Sequence, residues 1–299
     1  MKHFKSLIIA VVLVAFVAGG LFTITTSRGQ SQSSKSEPVA SKNTVAVTPA
    51  LTSISPSATR NATLRNDLSW VFGRKAQRGW YLYEPLLTRL LGTEHDAHTD
   101  NFAKALEGWQ KKKGLAANGI LDQTTLYAIV SEWQGRRLKG KTPATPDQLL
   151  TAPTSDFYDP TRVDELRQVE RETYSAYKRM VAAAVADPSL KLAVANGELA
   201  SSERYLKIIS SFRSREYQEK LRRASPNAGS AGLAINSPHF TGRALDIYVG
   251  GEPVDTNDRN RAIQVQTPVY RWLVRNAERF GFRPYYYEPW HWEYVGATN

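Results

Sequence analysis

Two short stretches near the C-terminus hold the residue types that hydrolytic chemistry needs: Ser237-Pro-His239-Phe-Thr-Gly242-Arg-Ala244-Leu-Asp246 and Glu288-Pro-Trp-His291. A catalytic zinc ion takes three nitrogen or oxygen ligands, keeps a fourth position for water, and works beside a carboxylate that is not itself a ligand. His239, Asp246 and His291 make such a ligand set and Glu288 such a base, with Glu293 the alternative carboxylate. The pattern alone leaves a plainer reading open. His followed by Asp, or Glu-x-x-His, is common on surfaces and at caps, and the two stretches act together only if the chain pairs them. His95-Asp96-Ala-His98 is a weaker candidate, set in a polar, loop-like context that fixes no ligand.

The surrounding pattern supplies elements that can position these residues. Ala244–Val249 alternates as a strand and gives Asp246 a fixed face. His291–Val295 alternates in the same way and predicts a neighbouring strand. Gly242 allows the turn between His239 and the first strand. Tyr205–Phe212 predicts a third strand with Arg213 at its C-terminal end. Thr267-Pro268 is an N-cap and first-turn pair for a helix through Phe280, stopped by Gly281. Val163, Leu166, Val169, Tyr177, Met180 and Ala184 form a helical stripe that ends before Pro188, with Thr161 to Asp164 at its start. Helices with separated antiparallel strands make this region α+β.

The strings S-x-H-x-x-G-x-A-x-D and E-x-W-H-W resemble the signature of the VanY-type zinc D-alanyl-D-alanine carboxypeptidases. The similarity runs from about Asp159 to Gly296. It includes Ser211-Phe-Arg213-Ser214-Arg-Glu-Tyr-Gln218, like the family's S-x-Y-R-S-x-x-x-Q, with Phe212 at the tyrosine position. The resemblance implies a small antiparallel-sheet zinc peptidase domain with flanking helices over residues 160–299. It implies zinc on His239, Asp246 and His291, Glu288 as base, and Arg213 as the cation that stabilises charge on the carbonyl oxygen. Ser237 and Gln218 are the candidates for holding the substrate, and Trp290, Trp292 and Tyr248 for lining the cleft, with core packing the expected fate of at least one of these three. The implied reaction removes the terminal residue of D-Ala-D-Ala stem peptides of peptidoglycan. The alternatives are an endopeptidase of the same fold and a catalytically silent wall-binding module.

The rest of the chain sets the context. Lys+Arg 39 against Asp+Glu 28 gives a net charge of +11, which suits an anionic surface, and there is no cysteine for disulfides or thiolate metal sites. Lys2 and Lys5 precede an uncharged run from Leu7 to Ile24. Residues 1–24 are therefore expected to act as a membrane anchor or signal segment, with the remainder outside the cytoplasmic membrane, in the periplasm or cell-wall space. Export argues against a nucleic-acid partner. Residues 25–63, rich in Ser, Thr, Ala and Pro, read as a disordered tether.

Residues 64–138 read as a small all-helical domain. Tyr83, Leu86, Leu87, Leu90 and Leu91 form one stripe, and Phe102 to Gln110 a second helix. Gly114-Leu115-Ala-Ala-Asn118-Gly119 is a turn, and Asp122 or Thr124 caps a third helix. Gln110 and this turn resemble the second half of the small peptidoglycan-binding domain, with Asn118 at the family's Asp position; the part before Asp100 does not match. Residues 139–159, with Pro143, Pro146 and Pro153, read as a stiffer linker.

Overall fold

The computed structural model describes residues 54–224 and 236–296, all of which belong to one compact unit. The expected membrane segment 1–24 and most of the tether lie outside the described residues. Among the described residues no helix is long and apolar enough to cross a membrane.

The chain enters through α1 (Pro56–Asp67), capped by Ser55, whose hydroxyl accepts from Ala58 N. The region expected to be all-helical then departs from expectation. Ser69–Phe72 (β1) and Lys75–Arg78 (β2) form an antiparallel hairpin, turned by Gly73 and Arg74 at positive φ. Helices α2 (Glu84–Leu91), α3 (Asp100–Lys112) and α4 (Gln123–Gly135) follow. Asp122 caps α4 by accepting from Thr125 N at 2.8 Å. Trp80 stacks on Phe102 at 5.9 Å, and the buried Gln110 amide ties the Asn118-Gly119 turn to Thr125. Asn61 of α1 closes the same turn from the other side, bonding Gly119 O and Leu121 N.

Residues 139–159 are part of the fold rather than a free linker. Leu149–Thr151 (β3) pairs with Gln168–Glu170 (β4), Ala144 N donates to Phe240 O, and Phe157 is buried. Pairing with β3 also explains why the helix expected from Val163 begins late. Val163 is exposed and Val169 faces inward from β4, so α5 spans only Arg171–Val185, with Glu170 as its cap. A two-residue ladder of Val194–Ala195 (β5) and Glu198–Leu199 (β6) follows.

The central sheet has four antiparallel strands in the order β7 (Ile208–Ser210), β8 (Ala244–Ile247), β10 (His291–Tyr294), β9 (Phe282–Pro284). Leu245, Ile247 and Trp292 are fully buried on its inner side. Helix α6 (Arg215–Ala224) follows β7, while α7 (Asp258–Gln266) and α8 (Pro268–Asn276) lie between β8 and β9. Thr267 caps α8, the helix tightens to a 3-10 turn over Ala277–Phe280, and Gly281 ends it in the left-handed region.

The first helices pack directly on this sheet domain. Buried Arg261 of α7 donates to Tyr83 Oη at 2.8 Å and lies over the Tyr287 ring. Phe72 and Trp133 contact Tyr286 at 5.0 and 5.7 Å. Tyr285, Tyr286 and Tyr287 thus anchor, from the N-terminal side, the loop that leads into Glu288.

Candidate metal centre

In the β8–β10 ladder, Asp246 stands directly opposite His291. Opposed residues of an antiparallel pair project from the same face, so the two side chains meet by register alone. His239 arrives on a 3-10 turn, Pro238–Thr241, where Ser237 Oγ accepts from His239 N at 3.3 Å. Gly242 closes that turn at φ 67°, and a Cβ there would lie 3.0 Å from Glu170 N. The result is that one ligand atom from each of His239, Asp246 and His291 lies within 4.8 Å of the others, all three residues being buried.

The contacts at this centre assign the donor atoms. His239 Nδ1 is 2.7 Å from Ser211 O, which leaves Nε2 pointing at Asp246 Oδ1, 3.3 Å away. His291 Nδ1 is 2.9 Å from the same oxygen, while its Nε2 faces Glu293 Oε1 at 3.2 Å. Each ring therefore has an acceptor behind it and turns its other nitrogen toward Asp246, where a metal would replace the proton that His291 Nδ1 shares with that carboxylate; outer contacts fix the tautomer of a metal-binding histidine in this way. The set of two imidazoles and one carboxylate, without thiolate, suits zinc.

Electrostatics follows from burial. Burial lowers His239 to about 4, assisted by the nearby Arg213 charge, so its imidazole is neutral. Burial pushes Asp246 up, but His239, His291 and Arg213 outweigh it and hold the carboxyl well below its ordinary value. For His291 burial favours the neutral ring, yet the bonds to Asp246 and Glu293 raise it to about 9. Burial raises Glu288 to about 7, in the field of His291, Asp246 and Arg213. A carboxyl near neutrality beside a ligand triad has the proton affinity of a working base.

Arg213 follows β7 and donates through Nη2 to Asp246 Oδ2 at 2.8 Å and through Nε to Ser210 Oγ at 3.0 Å. Gln218, buried on α6, is 3.4 Å from Arg213 Nη1. Ser237 is buried as the cap of the His239 turn. Trp290 and Trp292 are core residues, 2% and 1% exposed, and do not line a cleft: alternation in β10 turns Trp292 inward, and Trp290 O accepts from Ile247 N. Tyr248 is half-buried against Tyr158 and Tyr205. His95 is exposed and contacts Asn101.

Sequence reasoning missed Arg137. It enters from the end of α4 and bonds Glu293 Oε1 through Nη2 at 2.5 Å and Nε at 3.2 Å. The role of Glu293 was partly legible, because a period of two puts residue 293 on the face of His291. No local pattern connects residue 137 to either.

This sheet, with two histidines and an aspartate converging beside a buried glutamate, defines a hydrolase site of the metallopeptidase type. Residues 166–297 match the VanY family model, described as D-alanyl-D-alanine carboxypeptidase, which makes this segment a carboxypeptidase domain of the VanY type. Among solved structures, partial similarity extends to the LdcB LD-carboxypeptidase, studied for peptidoglycan recognition, at 22% identity over 54% of this chain and 73% of that one, with a TM-score of 0.36. A mutant of the vancomycin-resistance D,D-pentapeptidase VanY from a VanB-type cassette, in complex with Zn(II), is similar at 24% identity over 43% of this chain and 74% of that one, with a TM-score of 0.28. No functionally curated protein matches the chain significantly.

Proposed function

We propose that this domain removes the terminal D-Ala from stem peptides with zinc held by His239, Asp246 and His291. The observation that carries this reading is the convergence of those three donor sets beside Glu288, whose carboxyl burial has brought to about 7. Zinc bound there would supply Lewis acidity, polarising a carbonyl and acidifying water. Glu288 takes the proton of the attacking water as the carbon–oxygen bond forms. It then delivers that proton to the nitrogen of the leaving D-Ala as the carbon–nitrogen bond breaks. Arg213, already fixed by Ser210 and Asp246, has N–H groups to spare and faces the charge that gathers on the carbonyl oxygen. Gln218 and Ser237 support this arrangement from behind Arg213 and His239.

The chain is further proposed to act outside the cytoplasmic membrane, tethered by residues 1–24, with 64–138 as a wall-binding domain. The basic charge and the Gln110–Asn118–Thr125 network, which resembles a peptidoglycan-binding turn, support this. Digestion of a soluble stem peptide ending in D-Ala-D-Ala, followed by mass spectrometry, is the test. Loss of one alanine supports the proposal, cleavage inside the stem or cross-bridge replaces it with an endopeptidase, and an intact peptide with zinc bound leaves a silent module.

A further inference from the structure

Apart from His291 itself, the side-chain and backbone groups that hold the carboxylate behind that ring come from outside its own sheet. Glu293 is 1% exposed, and besides His291 Nε2 on Oε1 both of its oxygens accept from the segment that follows α4. Oε1 accepts from Arg137 Nη2 and Nε, and Oε2 accepts from Leu138 N at 2.9 Å. Arg137 is in turn fixed by Gln134, whose Oε1 accepts from Nη1 at 2.9 Å, and its guanidinium lies 3.9 Å over the Tyr285 ring. Tyr285 meets the His291 ring edge-on at 5.9 Å, and its backbone N–H donates to His291 O at 2.9 Å. One arginine from the end of α4 therefore constrains His291 by two routes, through Glu293 and through Tyr285.

We infer that Arg137 is a positioning residue for the metal centre: by clamping Glu293 it keeps His291 Nε2–H donating backwards and Nδ1 free as the ligand. The inference rests on the zinc reading above. It makes the N-terminal helices part of the site, because the clamp comes from outside the segment 166–297 that defines the peptidase family. The physical reason is geometric. A buried carboxylate with a fixed fork on one side has one remaining direction in which to accept, and that direction is His291 Nε2. With Arg137 gone, Glu293 is free to rotate or to recruit water, and the ring loses its reason to present Nδ1.

The test is zinc affinity of the full chain, measured by competition with a chromophoric chelator, alongside thermal unfolding of each metal-free variant. Arg137→Met is expected to weaken zinc by about 10–100-fold, the usual effect of losing an outer contact to a metal-binding histidine. Tyr83→Phe, which removes the Arg261 bond at the same junction without touching Glu293, is expected to lower thermal stability and leave zinc affinity unchanged. Histidine 15N spectra of the zinc-loaded wild type should show His239 attached through Nε2 and His291 through Nδ1. Attachment of His291 through Nε2, or equal zinc affinity of wild type and Arg137→Met, overturns the inference. If Arg137→Met does not fold, Arg137→Lys decides, since it keeps the charge but replaces the fork by a point donor: weakened zinc supports the clamp and unchanged zinc overturns it. A wild-type chain that binds no zinc overturns the metal reading itself, before any variant is compared.

Discussion

At the scale of single residues, burial acts on a ligand and on the base in the same sense. His239 and Glu288 are both stripped of water, and both shift toward the neutral form, to about 4 and about 7. Glu288 must be ionised to accept a proton, so kcat/KM should rise with pH through a limb at or below pH 7; a cation alongside favours the ionised form and moves the limb down, not up. A pH–rate profile checks the sign, and Glu288→Gln should abolish the limb while lowering kcat by about 10²–10⁴-fold and retaining zinc. His239→Ala should instead lose the metal, as read by inductively coupled plasma mass spectrometry of the purified chain. Asp246 and His291 were legible in sequence because strand alternation fixes their faces, and His239 and Glu288 because each lies in a short turn leading into one of those strands. Trp290 and Trp292, each next to the ligand His291, follow the same alternation and are buried in the core.

Among the elements, the short turn between His239 and β8 carries the strictest demand. Gly242 is at φ 67° and its N–H donates to His239 O at 3.1 Å, while a Cβ would press on Glu170 N of β4. Gly242→Ala should cost about 1–3 kcal/mol of stability, seen in chemical denaturation, because a side chain must adopt a left-handed conformation against fixed backbone. The same variant should bind zinc more weakly, since the turn cannot shift without moving the ligand. Helix ends read well from sequence where caps are local, as at Asp122 and Thr267-Pro268. They read poorly where pairing at a distance intervenes. β4 takes Gln168–Glu170 for β3 and so shortens α5, and the β1–β2 hairpin interrupts a stretch whose apolar spacing suggested helices throughout.

Over the whole molecule, the N-terminal helices and the sheet domain share one polar and aromatic junction, held by Arg261 on Tyr83 and by Arg137 on Glu293. Deleting residues 64–138 should therefore reduce hydrolysis of a short soluble peptide as well as of insoluble sacculi, compared by product release under matched conditions. The proposed grip on the wall is checked separately with the full chain carrying Glu288→Gln. It should co-sediment with sacculi and be released as salt shortens the Debye length below about 8 Å. None of this junction is visible in sequence, because its partners are 178 and 156 positions apart. That separation has a kinetic meaning. Loops of such length close late, and the final strand must pair before Asp246 finds His291, 45 residues further on. In refolding, tryptophan burial in the early helices should run ahead of ion uptake, and uptake should share the slowest phase. Zinc capture then works as a clock for the completed chain, and a protein stalled before its last strand pairs stays inert however well its first half has folded.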